Sequence, residues 1–189
     1  MAWLKGFNFR ATSAYVTDGT NETFVVADVY PVTRNGVTFG WANTAGSIGS
    51  RNRSATIDRR LAGINFNEAG GDIFRVDLPG AGLYQINAAF GDHANGQSIT
   101  AAFQDNTTSF ISTTATSVAV AHYLDASFTD WSEAAWPGSN TLISQVFTSS
   151  ILRIQTGAAL NSPVAHLFLT QVDTILPPFP PRPTTLQAM

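Results

Sequence analysis

Cysteine is absent from the 189 residues, which excludes a disulfide framework, a thiolate metal site and a cysteine nucleophile. Charged residues are scarce at 12%, against roughly 25% in an average soluble protein, and Lys5 is the only lysine. With a net charge of −3, the chain has no general attraction for nucleic acid or for an anionic membrane. Its solubility must therefore depend on Ser, Thr, Asn and Gln. Such a surface favours contact with other proteins, because short polar side chains lose little entropy when they are ordered.

Long apolar runs are also lacking. No stretch approaches the roughly 18 residues that a membrane-spanning helix needs, so no membrane insertion is predicted. The first ten residues, MAWLKGFNFR, contain one lysine but no apolar segment of the signal-peptide type. The sequence therefore predicts a protein that is made in the cytoplasm and does not leave by the general secretory route.

Period-two alternation of apolar and polar residues is the main pattern that is present. The stretch DIFRVDLPGAGLYQINAAFGD (Asp72–Asp92) alternates, turns at Pro79 and Gly80, and alternates again. Twelve segments are predicted to be strands: Trp3–Phe9, Phe24–Tyr30, Val37–Trp41, Leu61–Phe66, Ile73–Leu78, Leu83–Phe90, Ser98–Phe103, Ser109–Thr113, Ser117–Tyr123, Leu142–Thr148, Ile151–Gln155 and Val164–Val172. With no sustained helical period, this pattern predicts an all-β fold, an antiparallel β-sandwich. The predicted core contains Phe74, Val76, Leu78, Tyr84, Ile86, Phe90, Leu152, Ile154, Leu167 and Leu169.

The C-terminal segment Leu176–Met189 differs in composition from the rest, since it holds five of the nine prolines. Proline cannot continue a helix or a central strand, so this segment predicts an extended Pro-rich arm. We therefore predict a β-jelly-roll domain over residues 1–173 and an arm over residues 174–189. Phe179 and Leu186 are candidate apolar contacts through which the arm docks on a partner.

Several short motifs occur in a characteristic order along the chain. They are FNFR (Phe7–Arg10), VTFGW (Val37–Trp41), DRRLAG (Asp58–Gly63), PGAGLY (Pro79–Tyr84), ILRIQTG (Ile151–Gly157) and VAHLFLTQV (Val164–Val172). This order resembles the galactose-binding-like β-jelly roll, a family that includes carbohydrate-binding modules and accessory domains of polysaccharide-degrading enzymes. Jelly rolls also recur in bacteriophage virion proteins as decoration and fibre domains. The resemblance implies the fold and leaves binding, assembly and catalysis open.

Motifs of catalysis and cofactor binding are lacking. There is no nucleophile elbow, P-loop, zinc-protease motif or dinucleotide fingerprint, so no enzyme activity, cofactor or metal is predicted. His122 and His166 lie in predicted strands, where a half-buried histidine with satisfied hydrogen bonds is the usual interpretation. His93 follows a strand end, where an active-site role is conceivable. The oxygen-rich stretch TDGTNE (Thr17–Glu22) lacks calcium-loop spacing, so a polar turn is favoured over a calcium site.

Two tryptophans stand close together in the predicted loop TDWSEAAWPGSNT (Thr129–Thr141). Sugars stack their C–H faces on flat aromatic rings, while carboxylates take the hydroxyl groups. The candidate glycan-binding residues are therefore Trp131, Trp136, Asp130 and Glu133. The alternative is that both tryptophans close the end of the sandwich. For Trp136 this alternative is favoured, because the turn at Pro137 can cover its ring, so Trp131 is the preferred stacking residue.

Four of the nine arginines lie in the longest predicted loop, NTAGSIGSRNRSATIDRR (Asn43–Arg60). They are Arg51, Arg53, Arg59 and Arg60. Arginine suits interface ion pairs, so these residues are candidates for pairing with carboxylates of a neighbouring subunit. A solvated loop is the alternative, and the sequence leaves both open.

The sequence favours two functions, assembly and glycan binding. The main prediction is a non-enzymatic virion structural protein, a capsid decoration or tail- and fibre-associated protein made in the host cytoplasm. It would dock on other virion subunits or on copies of itself and present a glycan-binding face. The alternative is a carbohydrate-binding module or an accessory domain of a polysaccharide-active system.

Overall fold

The computed structural model describes residues 3–12, 21–42, 48–53, 58–67, 71–137, 141–157 and 162–172. These residues form fifteen strands and two short 3-10 helices. The strands are β1 (Leu4–Phe9), β2 (Glu22–Val25), β3 (Val32–Arg34), β4 (Val37–Ala42), β5 (Ile48–Asn52), β6 (Gly63–Asn67), β7 (Ile73–Asp77), β8 (Gly82–Gly91), β9 (Gln97–Asp105), β10 (Thr108–Val118), β11 (His122–Leu124), β12 (Asp130–Ser132), β13 (Ile143–Phe147), β14 (Ile151–Thr156) and β15 (Val164–Gln171). The helices are η1 (Arg59–Leu61) and η2 (Glu133–Ala135).

The strands form two sheets packed face to face. A nine-stranded sheet has the order β12-β11-β8-β15-β1-β2, with β13 paired to β8 and the β5–β6 hairpin paired to β15. A six-stranded sheet has the order β10-β9-β14-β7-β4-β3. Strand pairs in the described residues are antiparallel, except that β1 and β2 run parallel. The predicted all-β antiparallel sandwich is therefore confirmed.

The core fills the space between the sheets and is rich in aromatic rings. Phe7 and Phe9 of β1 meet Phe74 of β7 edge to face, with ring centroids 5.7 and 4.8 Å apart. Such contacts add to the hydrophobic gain from burying the rings. All ten residues predicted for the core are buried. That part of the prediction is confirmed, because alternation along a strand reports directly which face is covered.

The observed strands differ from the prediction where a strand lacks alternation. β5 (Ile48–Asn52) lies inside the predicted loop Asn43–Arg60, and it forms because its backbone pairs with β6. The predicted strand Phe24–Tyr30 is also shorter than expected, since β2 ends at Val25. The chain turns there because Ala27 adopts a left-handed conformation with φ of 58°.

Some predictions concern residues that the structure does not describe. The Pro-rich arm with Phe179 and Leu186 lies outside the described residues, as does the predicted domain boundary at residue 173. In the part of the chain that the structure describes, no helix is long and apolar enough to span a membrane.

Candidate functional site

A β-bulge in β15 determines which side chains reach the outer face of the nine-stranded sheet. Two consecutive residues of β8 pair with Val164 and His166, so Ala165 is an extra residue without a partner of its own. Val164 and Leu167 therefore both point into the main core, whereas Ala165 joins a separate cluster on the outer face. His166 also faces outward. Without the bulge, regular alternation would place His166 on the core side.

Five rings follow one another across this outer face, and we call them the aromatic row. Tyr123 and Trp131 stack with centroids 5.1 Å apart, and Trp136 stacks on Trp131 at 5.3 Å. Trp136 then meets His166 nearly at right angles at 5.9 Å, and His166 stacks with Phe168 at 6.1 Å. The row connects the β11–β12 hairpin to β15.

An open pocket of about 230 Å³ lies at the end of the aromatic row, and we call it the outer-face pocket. Its floor comes from β8 and β15, and its walls come from η1 and from the turn after η2. The lining residues are Arg60, Asn87, Trp136, Pro137, His166 and Phe168. Pockets for drug-sized ligands start at roughly 300 Å³, so this one has room for a single ring-sized ligand.

His166 is the unusual member of the lining. It is 2% exposed, yet neither ring nitrogen has a hydrogen-bond partner among the residues that the structure describes. Burial lowers the pKa of His166 to about 4, so the ring is neutral near pH 7. A neutral imidazole has one donor and one acceptor nitrogen. Both nitrogens are therefore buried polar atoms whose hydrogen-bonding capacity is unused within the described residues.

Asp58 fixes two walls of the pocket at once. Its Oδ1 accepts a hydrogen bond from the backbone N–H of Arg60 at 2.7 Å and so caps η1. Its Oδ2 accepts a hydrogen bond from the indole Nε1 of Trp136 at 2.7 Å. The Arg60 side chain is also held from the other side, since its Nε donates to Glu22 Oε1 at 2.8 Å. The two walls are thus positioned before any ligand arrives.

The structure corrects the predicted order of the two tryptophans. Trp131 is 5% exposed, and its ring is covered by Tyr123 on one side and by Trp136 on the other. It has no open face for a sugar, so the preference for Trp131 as the stacking residue is wrong. Trp136 is the ring that lines the pocket. The turn at Pro137 lines the pocket beside the ring and does not bury it.

The two carboxylates predicted to bind a glycan, Asp130 and Glu133, contact histidines outside the pocket. Both oxygens of the exposed Asp130 lie 3.2 Å from His122 Nδ1. Glu133 is buried, and its Oε2 accepts a hydrogen bond from His93 Nδ1 at 2.7 Å. Neither carboxylate is among the pocket lining. Of the four candidate glycan-binding residues, the structure brings only Trp136 to the pocket.

Two of the four candidate interface arginines pair within the chain. Arg53 donates from Nε to Asp92 Oδ1 at 2.6 Å, and Arg60 is held by Glu22 and Asp58. Both side chains therefore already pair with carboxylates of this chain, and their pairing with carboxylates of a neighbouring subunit stays a prediction.

The other two arginines are exposed. Arg51 lies over the ring of Phe66, with its guanidinium carbon 4.7 Å from the centroid. Arg59 accepts a hydrogen bond at its backbone carbonyl from Arg10 Nη2. A contact with a partner through Arg51 or Arg59 stays a prediction.

Sequence reasoning missed Asn87, His166 and Phe168. The structure also corrects the expectation that His166 has satisfied hydrogen bonds. One signal was present, because VAHLFLTQV places Val164 and Leu167 three residues apart, which regular alternation cannot put on one face. An odd spacing between core residues of one strand indicates a bulge.

In the described residues no group of three or more His, Asp or Glu side chains is arranged so that it could hold a metal ion. The oxygen-rich turn considered for calcium, Thr17–Glu22, lies mostly outside the described residues. Its one described acidic side chain, Glu22, is in an ion pair with Arg60.

No family model matches this chain, and no curated protein matches it. Its structure is similar to part of Bacteroides uniformis beta-glucuronidase 2. A calcium binding mutant has a TM-score of 0.50 and 13% identity, and the match covers 89% of this chain and 18% of that chain. The same enzyme covalently bound to cyclophellitol-6-carboxylate aziridine has a TM-score of 0.49, with 13% identity and the same coverage.

CBM35 from Paenibacillus barcinonensis is also similar, with a TM-score of 0.37 and 8% identity, over 72% of this chain and 94% of that chain. This chain spans 18% of the length of the beta-glucuronidase chains. The match with a TM-score of 0.50 shows a shared β-sandwich fold and nothing further.

Proposed function

We propose that the chain is a carbohydrate-binding domain that takes one sugar ring in the outer-face pocket. The observation that carries this proposal is His166, a buried imidazole with two unused nitrogens that lines an open pocket beside an indole. A sugar ring has an apolar C–H face and a polar edge of hydroxyl groups. The apolar face of the sugar would pack on the ring of Trp136 or Phe168, and a hydroxyl group at its edge would hydrogen-bond to His166.

The fold is compatible with this proposal, but the proposal rests on the pocket. The sandwich is shared with part of a protein named as a beta-glucuronidase, and a β-sandwich can present a ligand site on the outer face of a sheet. The sequence-based expectation that the chain has no catalytic activity stays a prediction. Its assignment to a virion also stays a prediction, which the comparisons do not support.

The test is binding of the intact protein to a glycan array, followed by calorimetry with methyl glycosides of the sugars that give signals. Trp136→Ala removes the indole wall, and we expect affinity to fall by about tenfold or more, since 1.4 kcal/mol corresponds to a factor of ten. The melting temperature reports whether the fold survives.

Trp3→Ala is the matched control. Trp3 is also a partly buried tryptophan, it packs on Tyr84 at 6.0 Å, and it does not line the pocket. This variant should keep full affinity. Equal losses in both variants would show a general effect of tryptophan removal. Absence of any sugar signal from the intact protein would overturn the proposal.

A further inference from the structure

The six-stranded sheet also has an outer face, on the opposite side of the sandwich from the outer-face pocket. Gln104 of β9, Arg153 of β14 and Arg75 of β7 are paired side by side across three neighbouring strands. Leu152 and Ile154, which flank Arg153 in β14, are buried in the core. Side chains alternate along a strand, so Gln104, Arg153 and Arg75 all point away from the core.

Two arginines lie directly opposite each other on this face. Arg75 and Arg153 are partners in an antiparallel pair, a position in which like charges destabilise a sheet. Arg75 has partners of its own, since its Nε donates to Asp77 Oδ1 at 2.8 Å and its guanidinium carbon lies 4.4 Å from the centroid of the Tyr30 ring. The Tyr30 hydroxyl donates to the other oxygen, Asp77 Oδ2, at 2.9 Å. Asp77 is therefore held beside Arg75 and Tyr30.

Arg153 has no comparable partner. Within the described ranges its guanidinium makes no hydrogen bond and no ion pair. Its Nε is buried, whereas Nη1 and Nη2 are not. A buried donor without a partner costs free energy, and so does a second arginine directly opposite. Stability therefore does not explain an arginine at this position, whereas an anion bound at Nη1 and Nη2 would offset the repulsion.

The other charges of this sheet leave Arg153 uncompensated. The six strands carry five charged residues: Arg34, Arg75, Asp77, Asp105 and Arg153. Arg34 and Asp105 belong to the core-facing side, because they pair with the buried residues Val37 and Leu152. These strands therefore place two guanidinium groups and one carboxylate on the outer face. Since that carboxylate is paired with Arg75, the charge of Arg153 is in excess there.

Gln155 adds hydrogen-bond donors beside Arg153. It lies two positions further along β14, on the same face of the sheet. Its Oε1 accepts a hydrogen bond from Gln104 Nε2 at 2.7 Å, which leaves its own Nε2 directed away from Gln104. Arg153 and Gln155 thus offer donors whose acceptor must come from a ligand. An ionised carboxylate, which only accepts, meets that requirement.

The side chains around these donors indicate a sugar chain and disfavour a protein partner. Protein interfaces have an apolar or aromatic centre. The exposed large hydrophobic residues in the described part of the chain lie outside β7, β9 and β14: Val29, Val120, Leu142 and Val146. The outer face instead presents the amides of Gln104 and Gln155 and the hydroxyl groups of Ser109 and Thr38. Such groups exchange hydrogen bonds with sugar hydroxyls.

We propose that the outer face of the six-stranded sheet is a second binding site, which takes a carboxylate of an acidic polysaccharide. Nη1 and Nη2 of Arg153 hold the carboxylate in a bidentate contact, and Gln155 donates from Nε2. The ligand also supplies the negative charge that the pair of Arg75 and Arg153 lacks. This site is separate from the outer-face pocket, so the inference goes beyond the proposed function and does not depend on it.

The experiment measures binding of short oligogalacturonides, oligomannuronates and oligoglucuronates to the full chain by calorimetry at pH 7 and physiological ionic strength. We expect at least one of these acids to bind. Methyl esterification of its carboxyl groups should weaken binding about tenfold or more, because the charge-assisted hydrogen bonds are lost. Failure of all three acids, or equal binding of the ester, would overturn this inference. Equal binding of polyglutamate would show a general attraction for polyanions and would overturn the sugar assignment.

Three variants locate the site on the sheet. Arg153→Gln removes the guanidinium, and we expect the affinity for the acid to fall about tenfold. Arg153→Lys keeps the charge without the planar fork and should bind with intermediate affinity. The matched control is Arg51→Gln, which removes the same charge from an exposed position on the nine-stranded sheet. Equal losses in Arg153→Gln and Arg51→Gln would show an effect of net charge and contradict a site at Arg153.

The two sites can be tested apart from each other. Trp136→Ala should leave the affinity for the acid unchanged, and Arg153→Gln should leave binding of neutral methyl glycosides unchanged. Loss of acid binding in Trp136→Ala would place the acid in the outer-face pocket and overturn this inference. Absence of neutral sugar binding alongside acid binding that depends on Arg153 would overturn the proposed function and leave this inference standing.

Discussion

Within the described residues His166 is buried without a hydrogen-bond partner, which destabilises the fold because an unsatisfied buried polar group costs about 1–3 kcal/mol. The ring lies nearly parallel to that of Phe168, with centroids 6.1 Å apart, and meets Trp136 edge-on; a six-membered aromatic ring could make the same contacts. A phenyl ring would fill much the same space without polar atoms. Ligand binding therefore accounts for a histidine at this position better than packing does.

His166→Phe should separate stability from binding. Removing the unsatisfied nitrogens should raise the free energy of unfolding, and the melting temperature should rise by about 2–4 °C for each kcal/mol of that increase. Sugar binding should be lost, because the hydroxyl groups lose their partner. Thermal denaturation and calorimetry on the same sample measure both effects. A variant that binds sugar as well as the parent would show that His166 does not contact the ligand.

The two tryptophans show what a sequence can indicate about a single residue and what it cannot. The sequence identifies Trp131 and Trp136 as aromatic side chains in a polar segment, and one of them does line the pocket. It cannot rank them, because the ring that covers Trp131 from the other side, Tyr123, comes from a different strand. Exposure of each ring depends on that pairing.

At the scale of elements, alternation predicts most strands and the faces that they bury. It fails for three- to five-residue strands such as β3, β5 and β12, which have too few residues to show a period. It also fails to locate the pocket, since Arg60, Asn87, Trp136 and His166 belong to four separate segments of the chain. No spacing in the sequence relates them. Only sheet order brings them together.

β1 is the strand that allows Phe168 to form the edge of the pocket floor. Gly6 pairs with Phe168, and a Cβ at Gly6 would lie 2.8 Å from the Phe168 ring and 2.7 Å from Cγ of Glu22. Both distances are shorter than real Cβ contacts. Gly6 is therefore needed for the close approach of the ring to the backbone.

Gly6→Ala should displace the Phe168 ring and weaken sugar binding several-fold, with a loss of stability of about 1–3 kcal/mol from overpacking. Gly80→Ala is the matched control, because a Cβ there meets nothing within 4 Å. Calorimetry should show full affinity in the control. Unchanged affinity in Gly6→Ala would mean that the position of Phe168 does not matter to the ligand.

For the whole molecule, the buried ionisable groups set a common dependence on pH. Burial opposes ionisation of Asp92, but hydrogen bonds from Arg53, from the backbone N–H of Ala94 and from Asn95 lower its pKa. The pKa of Glu22 is also lowered, and that of His166 falls from 6.5 to about 4. For all three groups the unfolded chain binds protons more readily than the folded one.

We therefore expect stability to fall as the pH falls. Between pH 6.5 and about 4, His166 is protonated in the unfolded chain but not in the folded one. Over that interval its contribution amounts to about 3 kcal/mol, at 1.36 kcal/mol for each pKa unit. Below it, protonation of Glu22 and Asp92 removes their ion pairs. Urea denaturation at a series of pH values measures the slope.

His166→Phe serves as the control, since it lacks the titrating ring. Its stability should change less between pH 6.5 and 4 than that of the parent. Parallel curves for the two proteins would mean that His166 does not titrate as its burial indicates.

The stacking of Trp131 on Trp136 has a spectroscopic consequence. The two indoles are 5.3 Å apart and inclined by 29°, so their transition dipoles are close enough to couple, and we expect paired bands of opposite sign in circular dichroism. Trp136 borders the pocket, so an occupant changes the surroundings of one half of this pair. The domain thus contains its own optical reporter, and a titration could be followed by ellipticity without any attached dye.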